Sequence, residues 1–79
     1  MLHLAIRDGS SFSVGAHHVL VVEKKTRGGQ TVIDVDGRTF RLHRDDFVEV
    51  SPGVRLGIGS KRRFAVDAPE SVRVARIVR

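Results

Sequence analysis

Arginine is the residue type in this chain whose number and placement could do chemistry. Its guanidinium is a planar fork of N–H donors that can pair with phosphate oxygens, stack on bases or fork onto guanine acceptors. The 79 residues include fourteen Lys and Arg against nine Asp and Glu, for a net charge of +5. Seven of the basic residues (Arg55, Lys61, Arg62, Arg63, Arg73, Arg76 and Arg79) lie from Gly53 onward, opposed only by Asp67 and Glu70. Residues 1–52 are neutral overall, so the last third carries the whole net charge. Such asymmetry points to a face for an anionic partner, where an even spread would not. Arg62-Arg63 stands before a strand, where a basic pair serves either nucleic-acid contact or protection of a sheet edge.

The other reactive side chains offer less. His3, His17 and His18 lack metal-ligand spacing. Asp45-Asp46 are adjacent, and adjacent residues of a strand point to opposite faces, which suits no paired acid–base work. No Ser/His/Asp triad, nucleophile elbow or phosphate loop is legible, and Gly57-x-Gly59 alone carries nothing. The sequence therefore predicts a protein that is not an enzyme, with no metal, no cofactor and no small-molecule substrate.

A chain of this length makes one domain, residues 1–79, and buries only about 60% of its unfolded surface. Disulfides are excluded because cysteine is absent. A partner subunit is the remaining way to enlarge a small core, so a homodimer is expected. No apolar run approaches the roughly 18 residues of a membrane span, and no signal-peptide pattern opens the sequence. No membrane association and a cytoplasmic location are expected.

The elements that must position the arginines read as strands. Met1 to Arg7 alternates, with Leu2, Leu4 and Ile6 on one side, and predicts a half-buried strand. Ser11 to Val14 alternates again. His18 to Val22 is a near-continuous apolar run and predicts a strand covered on both faces. Asp36-Gly37 between two alternating runs predicts a two-residue hairpin in which Thr31 faces Leu42 and Ile33 faces Phe40. Arg44 to Val50 reads equally as one helical turn or a strand. Ser51-Pro52-Gly53 is a break. Val54 to Ile58 and Arg62 to Val66 read as strands around a turn at Gly59-Ser60-Lys61. Asp67-Ala68-Pro69-Glu70 turns the chain into Val72 to Ile77, which places Val72, Val74 and Arg76 on one face. No long helical period occurs, so the fold class is all-β, with seven or so short antiparallel strands.

Two blocks of the sequence resemble a known family. Met1-Leu2-x-Leu4-x-x-Arg7-x-Gly9 followed by Phe12-x-Val14-Gly15 is similar to the first two strands of the carbon storage regulator (CsrA/RsmA) family of bacterial post-transcriptional repressors. Leu56-Gly57-Ile58-Gly59 and Phe64-Ala65-Val66-Asp67-Ala68-Pro69-Glu70-x-Val72-x-Val74-x-Arg76 resemble its last three strands. On this alignment the core is residues 1–15 and 53–79, and about 16–52 is an insertion carrying the β-hairpin. A second alignment matches Arg41 to Phe47 to the family's closing segment. The first keeps the Ala-Pro turn and the basic charge together and is preferred.

The resemblance implies a small intertwined homodimer in which the first strand of one copy lies beside the last strand of the other. It implies two equivalent RNA sites, each reading a GGA triplet in the hairpin loop of an mRNA leader or a small regulatory RNA, and so modulating translation. Single-stranded loops are where base edges are free to be read. The matching contact positions are Leu4, Arg7, Val74 and Arg76, with Arg7 and Arg76 supplied by opposite copies; Arg62 and Arg63 join them on charge. The family usually has arginine where this chain has Ile6 and histidine where it has Ala75. It also continues into a helix beyond the position of Arg79, so a partner that reads that helix is not expected. A protein-interaction or structural module on the same fold, with a degraded RNA site, is the alternative.

Overall fold

A computed structural model describes residues 1–78; Arg79, counted above among the basic residues, lies outside the described residues. The described residues form nine strands: β1 (Leu2–Leu4), β2 (Ser11–Val14), β3 (His17–Glu23), β4 (Thr31–Val35), β5 (Arg38–Leu42), β6 (Phe47–Ser51), β7 (Val54–Ile58), β8 (Phe64–Asp67) and β9 (Val74–Ile77). One 3-10 turn, Ser60–Arg62, precedes β8. The all-β expectation is met, and every strand pairing is antiparallel. A four-stranded sheet runs β1-β8-β7-β6, and a five-stranded sheet runs β5-β4-β3-β2-β9.

The turns follow from their residues. Asp36 (φ 53°) and Gly37 (φ 86°) both take positive φ, which a two-residue type I′ hairpin demands. Thr31 pairs with Leu42 and Ile33 with Phe40, as the alternation requires. Ser51 pairs with Val54 around Pro52 and Gly53, and Gly53 has φ 77°. Proline followed by a glycine at positive φ is the pattern of a type II turn. The ambiguous stretch before it is a strand from Phe47 onward, not a helical turn. It is entered by a local loop in which the His43 N–H donates to Asp46 Oδ2 at 2.8 Å.

Two expectations need correction. The His18–Val22 stretch is covered on one face only: Val19 and Val21 are fully buried, while Val22 is 51% exposed. An unbroken apolar run cannot distinguish one covered face from two, and here the other face of β3 carries exposed His18, half-buried Leu20 and exposed Val22. The first strand is also shorter than the alternation suggested. It spans Leu2–Leu4, and the chain then leaves the ladder, turning Ile6 into the core at 5% exposure.

The two sheets share one core. Phe12, Val14, Val19, Val21, Ile33, Val35 and Leu42 from one meet Val54, Leu56, Ile58, Phe64 and Val66 from the other. The Phe12 and Phe64 rings stack across it with centroids 5.0 Å apart. Residues 16–52 are built into this core: β3, β4 and β5 extend one sheet and β6 the other. The outer edges of β1, β5, β6 and β9 have no strand partner among the described residues. The edges of β1 and β9 lie on the same side, since Met1, Leu2, Val72 and Val74 line one shallow apolar opening of about 250 Å³ between them.

Candidate nucleic-acid interface

Arg7 and Arg76 reach the same place from distant parts of the sequence. Arg7 sits in the turn that links β1 to β2, with its N–H donating to Ser10 Oγ at 3.0 Å and its carbonyl accepting from the Ser10 N–H at 3.0 Å. Arg76 sits on β9 opposite Phe12, and β9 is held there by its antiparallel ladder with β2. Arg7, Ser10 and Arg76 border two adjoining openings of about 420 and 240 Å³. Both arginines are exposed. The Arg76 guanidinium lies 4.9 Å from the centroid of the Phe12 ring, and its Nη2 donates to the Ala5 carbonyl at 2.8 Å. A guanidinium stacked on a ring and tethered by one N–H is pre-oriented, and its remaining donors stay available for a fork contact. One chain suffices to bring the two arginines together. In the wall behind them Ser11 is 4% exposed, and its hydroxyl has no hydrogen-bond partner among the described residues.

The other four sequence candidates are placed differently. Leu4 is half-buried at the end of β1, paired with Phe64 and packed on the core. Val74 is half-buried on β9, paired with Val14, and lines the apolar opening rather than the arginine cleft. Arg62 is partly buried, and its Nη1 donates to the Gly29 carbonyl at 2.7 Å. That bond ties the turn before β8 in one sheet to the β3–β4 loop of the other. Arg63 is exposed just after that turn, and its N–H donates to the Ser60 carbonyl at 3.3 Å. Leu4, Val74 and Arg62 thus spend their side chains on the fold.

A second constellation lies at the far end of β2 and corrects the sequence reading, which found no Ser/His/Asp triad. His17 Nδ1 is 2.6 Å from Asp36 Oδ2, and His17 Nε2 is 3.0 Å from Ser51 Oγ. The three residues come from three turns that close at one end of the sandwich: Gly15-Ala16, Asp36-Gly37 and Pro52-Gly53. Ser51 is 34 residues from His17 in sequence and sits on the other sheet, so no local spacing could have revealed the line. The N–H of His18 donates to Asp36 Oδ1 at 2.8 Å. That bond first, and the His17 imidazole second, hold the Asp36 carboxyl below the ordinary aspartate value of 3.8.

The sign of the pH effect follows. A carboxyl with a depressed native pKa contributes stability fully above its ordinary value, and loses it as pH falls through the lowered one. Asp36→Asn is expected to lower the melting temperature at neutral pH, and the gap to the parent should close below about pH 3.8. Thermal unfolding of both proteins across the acid range measures this. A gap that does not change with pH would assign the effect to turn geometry instead of charge.

No metal site of three or more His, Cys, Asp or Glu occurs among the described residues. No helix among them is long and apolar enough to cross a membrane. Neither a family model, nor a curated protein, nor a solved structure matches this chain.

Proposed function

We propose that the chain is a sequence-specific RNA-binding post-transcriptional regulator that reads GGA-type hairpin loops in mRNA leaders or small RNAs, acting as a homodimer in a bacterial cytoplasm. The observation that carries this reading is the open cleft bordered by Arg7 and Arg76 in a protein whose whole net charge lies in its last third. Two guanidinium groups beside an open cleft suit a phosphate and the acceptor edge of a guanine. The resemblance of the two terminal blocks to the carbon storage regulator family points the same way. The unpaired edges of β1 and β9, with the apolar opening between them, favour a second copy on that side. An intertwined dimer would instead exchange the terminal strands between copies.

A titration of a GGA-loop hairpin by gel shift tests the assignment. Arg76→Ala is expected to weaken binding by about 1–3 kcal/mol, the loss of a charge-assisted contact. Arg76→Lys keeps the charge but not the fork, and should fall between. Affinity of the parent should drop steeply with salt, because phosphate neutralisation releases counterions. Unchanged affinity in Arg76→Ala would remove the cleft from the RNA site.

Ile6 favours the alternative of an interaction or structural module. It stands where the family usually carries a second arginine, and here it is a core side chain at 5% exposure. A scrambled hairpin competing as well as the GGA hairpin at fixed salt would support that module over sequence-specific reading.

A further inference from the structure

Ser51, His17 and Asp36 form a hydrogen-bonded line that the RNA reading leaves unused. We propose that Ser51 is an activated nucleophile, with His17 as its general base and Asp36 as the positioning residue, and that it accepts an acyl group from activated esters.

The proton positions follow from the partners. An ionised carboxylate can only accept, so the His17 nitrogen facing Asp36, Nδ1, carries the proton. In the neutral imidazole Nε2 is then the acceptor, and the hydrogen it accepts is that of Ser51 Oγ, 3.0 Å away. Asp36 is itself fixed: its other oxygen accepts from the His18 N–H at 2.8 Å, and its backbone is held in the hairpin turn at φ 53°. Nucleophile, base and orienter thus stand within hydrogen-bond reach in the order acyl transfer needs. The His17 side chain is 21% exposed and Asp36 44%, so the line is open to solvent at its surface.

The same geometry limits the substrate. The residue after the nucleophile is Pro52, which has no N–H to offer a developing oxyanion. The next N–H, that of Gly53, is engaged by Glu49 Oε1 at 3.3 Å. With those backbone donors withheld, acyl donors with poor leaving groups, amides among them, are excluded, because their transition states depend on oxyanion stabilisation. An ester of an acidic phenol depends on it less. In the first step Ser51 Oγ bonds to the acyl carbon, its proton passes to His17 Nε2, and the phenolate departs with the electron pair of the broken C–O bond; His17 Nε2 then releases that proton to solvent water and is again free to act as a base. In the second, water attacks the acyl carbon and gives a proton to His17 Nε2, and Ser51 Oγ leaves the carbon and recovers a proton, releasing the acid.

The test is p-nitrophenyl acetate with the full chain, read by phenolate release and by peptide mass mapping. Acetylation of Ser51 is expected, roughly 10²-fold faster than in His17→Gln, the usual contribution of a general base. Asp36→Asn, which can still accept from His18, should slow it as well. Labelling of Ser51 should vanish when the parent protein is unfolded in urea, a control that holds even where a variant fails to fold. Acetyl groups found only on lysines, His17 or the amino terminus would overturn the proposal. So would Ser51 reacting at the same rate in a folded His17→Gln. RNA affinity is a separate readout at the opposite end of β2, so failure here leaves the cleft assignment standing.

Discussion

Phe64→Ala is expected to cost about 3–5 kcal/mol of stability, the range for truncating a fully buried aromatic. Phe64 is 0% exposed and stacks on Phe12 from the opposite sheet. Three losses coincide in the variant: the transfer free energy of the ring, the cavity it leaves, and the ring–ring contact. Collapse into the cavity is restricted, because Phe64 is pinned on both sides by ladders, to Leu4 on β1 and to Ile58 on β7. A domain of this size has a total stability of only roughly 4–12 kcal/mol. The variant should therefore be marginally folded or unfolded at 37 °C. Urea unfolding followed by circular dichroism measures it; a loss under about 1 kcal/mol would mean that the sheets do not close on this pair.

Gly57→Ala is expected to cost about 3 kcal/mol, the upper end for overpacking. Gly57 lies on β7 directly opposite Phe47. An added Cβ would stand 2.3 Å from the Asp46 carbonyl oxygen and 2.5 Å from Phe47 Cδ2. The ring can swing, but the carbonyl belongs to backbone that accepts the Ile58 N–H at 3.2 Å. Relief therefore means moving β6 away from β7. The Phe47 ring fills the space over the glycine and is covered in turn by the Arg55 guanidinium, 5.2 Å from its centroid. By contrast a Cβ at Gly9 would meet nothing within 4 Å, although its φ of 88° would still strain an alanine there. Chemical unfolding of both variants measures the contact at Gly57, which has no positive φ, and backbone strain at Gly9. A loss under about 1 kcal/mol in Gly57→Ala would show that β6 gives way readily to the added Cβ.

The Asp36-Gly37 hairpin was legible in the sequence because turn chemistry is local. The pair dictates its φ values within two residues, and the alternation on either side then allows one register, whereas Ser51-Pro52-Gly53 read only as a break because the stretch before it fits a helical turn as well as a strand. β2, β7 and β8 were legible as strands from their local pattern and the turn residues that bound them. The length of β1 was not, since the alternation that runs on to Ile6 continues past the point where the ladder with β8 stops. The open face of β3 was not either, because four consecutive apolar residues satisfy one covered face as readily as two. Of the candidate site, the basic character of the last third was plain. That Arg62 spends its guanidinium on Gly29 could not be known without the β3–β4 loop beside it.

Local pattern and composition are enough to specify an all-β chain, the Asp36-Gly37 turn and the concentration of positive charge after Gly53. Each is a property of neighbours along the chain. The tertiary structure alone decided which distant residues meet: Arg7 with Arg76 at one end of β2, and His17 with Asp36 and Ser51 at the other. Those meetings depend on the order in which strands join two sheets and on how the sheets pack. No periodicity within a strand encodes that order.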